Sequence, residues 1–273
     1  MKRILLATLL LIPLTSLAWD QKPNKPIEQC STELPWGAPQ SSKQNATLTC
    51  KEGYALLHDN AAKIPVWVGW TVTPTDTVGC VPRKDAFVAD EALPKEGRAT
   101  PGDYAKSGYD KGHLVPDADL SWSLQTEQES FLMSNMSPQL PNLNRGVWKG
   151  VEANTRAWAW GRKHDLTVYA GNIYEVGKSK TIGDSKVVVP EALYKIIIDN
   201  VTGESMAFIF RQVEKQPSDP LPSAVSISAV EAATGVNFPV PPGVDKGSVT
   251  KALWPVDVGG HSKAKKETCK VKQ

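Results

Sequence analysis

After its first twenty residues the chain has no apolar run approaching the roughly 20 residues of a membrane-spanning helix, so no later segment is expected to cross a bilayer. Cysteine is scarce: there are four, none in the close C-x-x-C spacing of a zinc finger, which argues against a structural zinc site. No sign of charge dominates, with 31 Lys and Arg against 29 Asp and Glu. Lys2 and Arg3 account for the formal excess of +2, so a polyanionic partner cannot be read from net charge and would need a local basic patch. An internal repeat, a clean linker and a wholly disordered stretch are also missing.

What is present suffices for a folded domain. The chain has 273 residues, 41% of them hydrophobic, enough to bury a sizeable core. Its start combines Lys2 and Arg3, an apolar run over 4–14 and the small residues Ser16 and Ala18. This predicts a signal peptide over 1–18, and with it a periplasmic or extracellular location. In an oxidising compartment the even cysteine count favours two disulfides. Three pairings are open, and the shortest loop favours Cys30–Cys50 with Cys80–Cys269.

Residues 19–53 are rich in Pro, Ser, Gln and Asn and read as an irregular arm. Residues 54–273 read as one mixed α+β domain. Strands are expected at 54–59, 66–72, 166–170, 186–189, 193–199 and 205–211, the last two joined by a turn ending at Gly203. A helix is expected from Thr126, with Thr126 and Glu129 as a capping box, and a longer one over 144–162. Another opens at Ser228 and closes at Gly235, and the basic stretch 263–272 reads as a solvated terminus. Trp67, Trp70, Trp148 and Trp158 read as core, and His58, His164 and His261 as structural or surface residues.

The chemistry concentrates in Asp110-Lys-Gly-His113, followed by Ser134-Asn-Met-Ser-Pro-Gln139 and Asn142-Leu-Asn-Arg-Gly146. A histidine beside an acid is weak evidence alone. Here amides cluster around two prolines just before an amphipathic helix, and an asparagine carbonyl is a reasonable ligand for a hard cation. On that helix Val147, Val151 and Trp158 share an apolar stripe, while Asn144, Trp148, Glu152 and Arg156 fan out beside it. Asn144 and Glu152 stand roughly 12 Å apart along the axis, so one direct ligand and one acting through water is easier than two direct ligands. For a generic helix, Glu152 and Arg156 would be a solvated i,i+4 pair.

These motifs resemble the DNA/RNA non-specific endonuclease family, over about residues 54–238. The resemblance implies an α+β fold whose mixed antiparallel sheet carries a ββα-metal (His-Me finger) site. It implies His113 as general base, Asn144 as direct Mg2+ ligand (with Mn2+ as the alternative ion), and Glu152 as the acid holding the metal's waters. Asp110, Asn135 and Gln139 correspond to supporting residues. Arg156 resembles the arginine at the scissile phosphate, and Arg83 an upstream phosphate-binding arginine. Lys111 replaces the arginine usual in the signature and keeps its charge without the bidentate fork. The implied reaction is hydrolysis of DNA and RNA to 5′-phosphate ends. Phosphate-directed contacts carry no sequence information, so little sequence preference is expected. The alternatives are a phosphodiesterase or pyrophosphatase acting on nucleotides, and an inactive nucleic-acid-binding relative. The oligomeric state is left open, a dimer included.

Overall fold

The computed structural model describes residues 21–271. Residues 1–18, read above as a signal peptide, lie outside that range. The first strands are β1 (Gln40–Ser41), β2 (Ala46–Cys50), β3 (Ala55–Asp59), β4 (Ile64–Val72), β5 (Asp110–His113) and β6 (Met136–Gln139). They continue with β7 (Leu166–Ile173), β8 (Thr181–Ile182), β9 (Val187–Val188), β10 (Ala192–Asp199), β11 (Ser205–Arg211), β12 (Ala224–Val225) and β13 (Val236–Asn237). The helices are α1 (Leu124–Ser130), the single turn α2 (Pro141–Leu143), α3 (Lys149–Arg162), α4 (Ile227–Thr234) and α5 (Val258–Val271). No helix among the described residues is long and apolar enough to cross a membrane.

Seven strands form an antiparallel sheet in the order β12-β11-β10-β7-β4-β3-β2. Side chains alternate across its two faces. On β4, β7 and β10, Val68, Trp70, Val168, Leu193 and Ile197 join Val151 and Trp158 of α3 in one core cluster. Tyr169, Tyr194, Ile196 and Ile198 point the other way and pack with Val230 of α4 and with Phe238. With both faces covered, β10 reads as a nearly continuous apolar run. The four expected core tryptophans are all buried. The site rests on the first face, where the separate hairpin β5–β6 stands beside the start of α3.

Several local expectations are corrected. Ala46–Cys50, read as part of an irregular arm, instead supplies an edge strand of the main sheet, pairing with β3. Helix α1 is capped by Ser123, whose Oγ accepts from the Thr126 backbone N–H; Thr126 lies inside the helix rather than at its cap. Ser226, not Ser228, caps α4, while Gly235 closes it at φ 67° as expected. The stretch 263–272 is not a loose tail: through residue 271 it lies in α5, which packs on α3. The disulfides are Cys30–Cys50 and Cys80–Cys269.

His58 is fully buried on β3. Its Nε2–H donates to the Gly97 carbonyl at 3.0 Å, and its Nδ1 has no partner among the described residues. Burial, only partly offset by the Gly97 bond, pulls its pKa down to about 4. The unfolded chain therefore takes up a proton near pH 6.5 that the folded protein refuses until about 4. This residue costs no stability above pH 6.5, and about 1.4 kcal/mol per pH unit as pH falls from 6.5 towards 4. NMR of the ring nitrogens should show the neutral tautomer persisting at pH 5.5; a midpoint near 6.5 would contradict this burial.

Candidate nucleic-acid-cleaving site

The hairpin β5–β6 carries the Asp-Lys-Gly-His signature on one strand and Met136–Gln139 on the other, with Asp110 opposite Gln139 and His113 opposite Met136. Its glycine has a steric reason: a Cβ on Gly112 would lie 2.3 Å from the Gln139 side chain. Gln139 thus packs against the signature strand, and its Nε2 reaches the His113 carbonyl at 3.4 Å. Asn135 ties down the next turn: its Oδ1 accepts from Val115 N–H at 3.0 Å and its Nδ2 donates to Val115 O and Ser130 O. Between hairpin and helix, α2 leads into a wide turn over Asn144–Trp148 that departs from helical geometry at Gly146. The regular helix therefore starts at Lys149, five residues later than expected. Trp148, buried at the end of the turn, donates its indole N–H to His113 O at 3.1 Å and locks the two pieces together.

A cavity of about 520 Å³ opens where hairpin and helix meet. His113, Asn144, Lys111, Arg83, Glu152 and Arg156 all line it. Asp110, Asn135 and Gln139 do not line it; Asp110 and Gln139 bond residues that do, while Asn135 holds Val115 and Ser130 behind them. Asp110 accepts from Asn144 Nδ2 at 2.9 Å and from Arg145 at 2.6 and 2.8 Å. Burial alone would raise the Asp110 pKa, but the bonds from Arg145 and Asn144 outweigh it and hold the group below the ordinary carboxylate range. The bond through Nδ2 fixes which end of the Asn144 amide is its oxygen. That Oδ1 takes no hydrogen bond among the described residues.

His113 is 8% exposed. Phe131 meets it edge-on at 4.9 Å and Phe87 lies at 5.7 Å. Its Nε2 is buried without a hydrogen-bond partner among the described residues, and aromatic contacts hold the ring. Burial first, and Arg83 second, push its pKa down to about 3, so the imidazole is neutral at neutral pH.

The cations around the cavity are differently restrained. Arg83 is half exposed, pairs with Asp117 and Asp85, and stacks over Phe131 at 5.0 Å. Lys111 lies over Phe87 at 4.9 Å. The generic Glu152–Arg156 pair does not form; Arg156 Nη1 instead donates to Asp119 at 2.8 Å. Burial alone would lower the Arg156 pKa, but Asp119 raises it, so the guanidinium stays charged in a dry place. Asp119 also accepts from Trp70 Nε1 at 3.0 Å.

Sequence reasoning missed the residue beneath Glu152. Lys195 shares its face of β10 with Leu193 and Ile197, and is 1% exposed. Its ammonium lies 3.9 Å from Glu152 Oε1 and 4.1 Å from the centre of the Trp148 ring. Burial pushes Glu152 up, to about 7, against the pull of Lys195 and Arg156. Burial likewise pulls Lys195 down, against the pull of Glu152. The signal was a lone lysine inside the apolar run Leu193-Tyr-Lys-Ile-Ile-Ile198. Asp117, Asp119 and Arg145 were missed too; Arg145 stands beside Asn144, and Asp117 and Asp119 follow Pro116 by one and three residues.

The profile of the DNA/RNA non-specific endonuclease family matches residues 36–244. The Nuclease of Nostoc sp. is 31% identical over 204 residues, 70% of this chain and 72% of that protein. Human mitochondrial Endonuclease G is 29% identical over 207 residues, 71% of this chain and 69% of its own. Among solved structures, one described as the crystal structure of the EndoG/EndoGI complex matches with a TM-score of 0.68 at 23% identity. That match spans 77% of this chain and 91% of the other, and it shows the shared α+β fold alone. These relatives also correct the location expected from the first residues. Endonuclease G, a Xenopus laevis nuclease and a fission-yeast nuclease are all named mitochondrial, and the segment that suggested export lies outside the described residues. The periplasmic or extracellular expectation is therefore withdrawn. The family match over most of the chain carries the conclusion: the chain belongs to the DNA/RNA non-specific endonuclease family and is an endonuclease, a hydrolase acting on nucleic acids.

Proposed function

We propose that the cavity between hairpin and helix hydrolyses internal phosphodiester bonds of DNA and RNA, with little sequence preference, leaving 5′-phosphate ends. The observation that carries this reading is that His113 and Asn144 line one cavity together with Arg83, Lys111 and Arg156. A neutral imidazole with no hydrogen-bond partner among the described residues is suited to take a proton from an attacking water. Arg83, which helps depress His113, is also placed to meet the substrate; an anionic phosphate arriving there offsets its charge and makes the ring a better base. Lys111 and Arg156 add positive charge around the phosphate.

The donor set fits a hard divalent cation. The Asn144 carbonyl oxygen is oriented by Asp110 and otherwise unbonded among the described residues, and the Glu152 carboxylate faces the same cavity. Mg2+ takes few protein ligands and keeps its waters, which suits one direct oxygen from Asn144 and Glu152 acting through water; Mn2+ is the alternative ion. Bound there, the ion would supply Lewis acidity at the phosphate and at the departing 3′ oxygen. Burial and Lys195 hold the Glu152 carboxyl in place for this task. Attack by water needs no 2′ hydroxyl, so either sugar is accepted.

Supercoiled plasmid should be nicked, linearised and then reduced to oligonucleotides, and excess chelator should abolish all three stages. Cleavage that survives the chelator, or release of mononucleotides from ends without internal cuts, would overturn the proposal.

A further inference from the structure

Helix α5 lies beyond residue 244, where the family match ends. It is nonetheless fastened to the body of the enzyme. His261 donates to Thr77 O at 3.1 Å and meets Trp160 edge-on at 6.0 Å, and Cys269 is bonded to Cys80. Between α5 and α3 lies a second cavity, about 440 Å³ in volume. Ala118, Ala153 and Arg156 line one side; Val258, Lys265 and Lys266 of α5 line the other. Ala118 and Arg156 also line the reaction cavity, so the two spaces share a wall.

We propose that this second cavity is a nucleotide subsite for the substrate strand, continuous with the scissile position. The inference rests on the nuclease reading above. Lys265 and Lys266 take the phosphate next along the strand from the one at Arg156, and the apolar wall of Ala153 and Val258 takes the adjoining sugar or base. Three observations support it. Neither lysine has a carboxylate within ion-pair distance among the described residues, although α5 pairs Lys270 with Glu267 at 3.1 Å. Lys265 is half-buried with its ammonium on Ser121 Oγ at 3.0 Å, and burial, with Arg156 second, holds it below the ordinary lysine range. A cation kept in such a place without a counter-ion suits an anionic ligand. Finally, α5 is anchored at both its histidine and its cysteine, so this side of the cavity is a fixed surface that can guide a strand.

The test compares Lys265→Gln/Lys266→Gln with Lys263→Gln/Lys270→Gln, which removes equal charge from the same helix away from the cavity. Binding of a fluorescent single-stranded DNA of about 20 nucleotides is read by anisotropy in chelator, and cleavage of the same strand is read with Mg2+. The cavity pair should raise Kd and KM about 10-fold and lower the slope of log Kd against log salt by about 1 to 2. The control pair should shift Kd less than about 2-fold. Equal weakening by both pairs, or no change in either, overturns the subsite while leaving the nuclease reading intact. A wild-type protein that binds and does not cleave overturns the nuclease reading instead. Melting curves of both variants at the wild-type midpoint would show that the fold is retained.

Discussion

His113→Ala is expected to lower kcat by about 10²- to 10⁴-fold while leaving KM for polynucleotide nearly unchanged. The ring is the cavity's one neutral nitrogen base: Arg83, Lys111 and Arg156 are cations, and Asn144 cannot take a proton. Its backbone, not its side chain, anchors the hairpin, through Trp148 Nε1 and Gln139 Nε2 on the His113 carbonyl. The substitution should therefore spare the fold, with a stability loss from the emptied contact with Phe131 and Phe87 of about 1–3 kcal/mol. Phosphate contacts from the cationic rim should survive, which is why KM should hold. Single-turnover cleavage, with circular dichroism as the folding control, separates the outcomes. A folded variant that cleaves at close to the wild-type rate would remove His113 from its role.

Lys195→Met should produce the largest loss of stability, about 3–5 kcal/mol at pH 8, because Glu152 must then carry a buried charge without its cation or take up a proton that the unfolded chain does not hold at that pH. The sign with pH follows from Glu152. Its folded pKa is already raised above the ordinary 4.5, to about 7, and Lys195 is the strongest influence pulling it down. Removing the lysine raises it further. A carboxyl with a raised folded pKa binds its proton more tightly in the folded state, so its ionisation costs nothing below about pH 4.5. The cost grows as pH rises through the folded pKa. Urea denaturation of the metal-free protein should accordingly show a much smaller deficit at pH 5 than at pH 8. The double variant Lys195→Met/Glu152→Gln should recover most of the stability and none of the cleavage, since no charge is then stranded. Equal stability of wild type and Lys195→Met at pH 8 would show that the pair contributes nothing.

Much of this was legible in the residues. The Asp-Lys-Gly-His motif and a helix following Asn144 were legible as a short, dense pattern, but the strand Asp110–His113 that carries the motif was not among the strands expected. The hairpin turn ending at Gly203 and the strands on either side were legible too, since local geometry dictates local composition. What could not be read were contacts between distant segments. Nothing near Arg156 in sequence says that Asp119 is its partner, 37 residues away. Nothing near Glu152 points to Lys195, whose strand looked like plain core. The start of α1 was misplaced by three residues because Thr126 and Glu129 have the spacing of a capping box, while Ser123 is the cap. The basic stretch at the end was read by charge alone, and its helix depends on packing against α3 and on a disulfide.

That second disulfide joins residues 189 positions apart. The closed ring holds the signature hairpin, α3, and the sheet strands from β7 through β12. A protease that cuts once at any exposed point within it produces two polypeptides that still travel as one molecule, with His113 and Asn144 held in their shared pocket by the unbroken framework. Such a clipped enzyme would migrate as a single band until a thiol is added, and only then come apart.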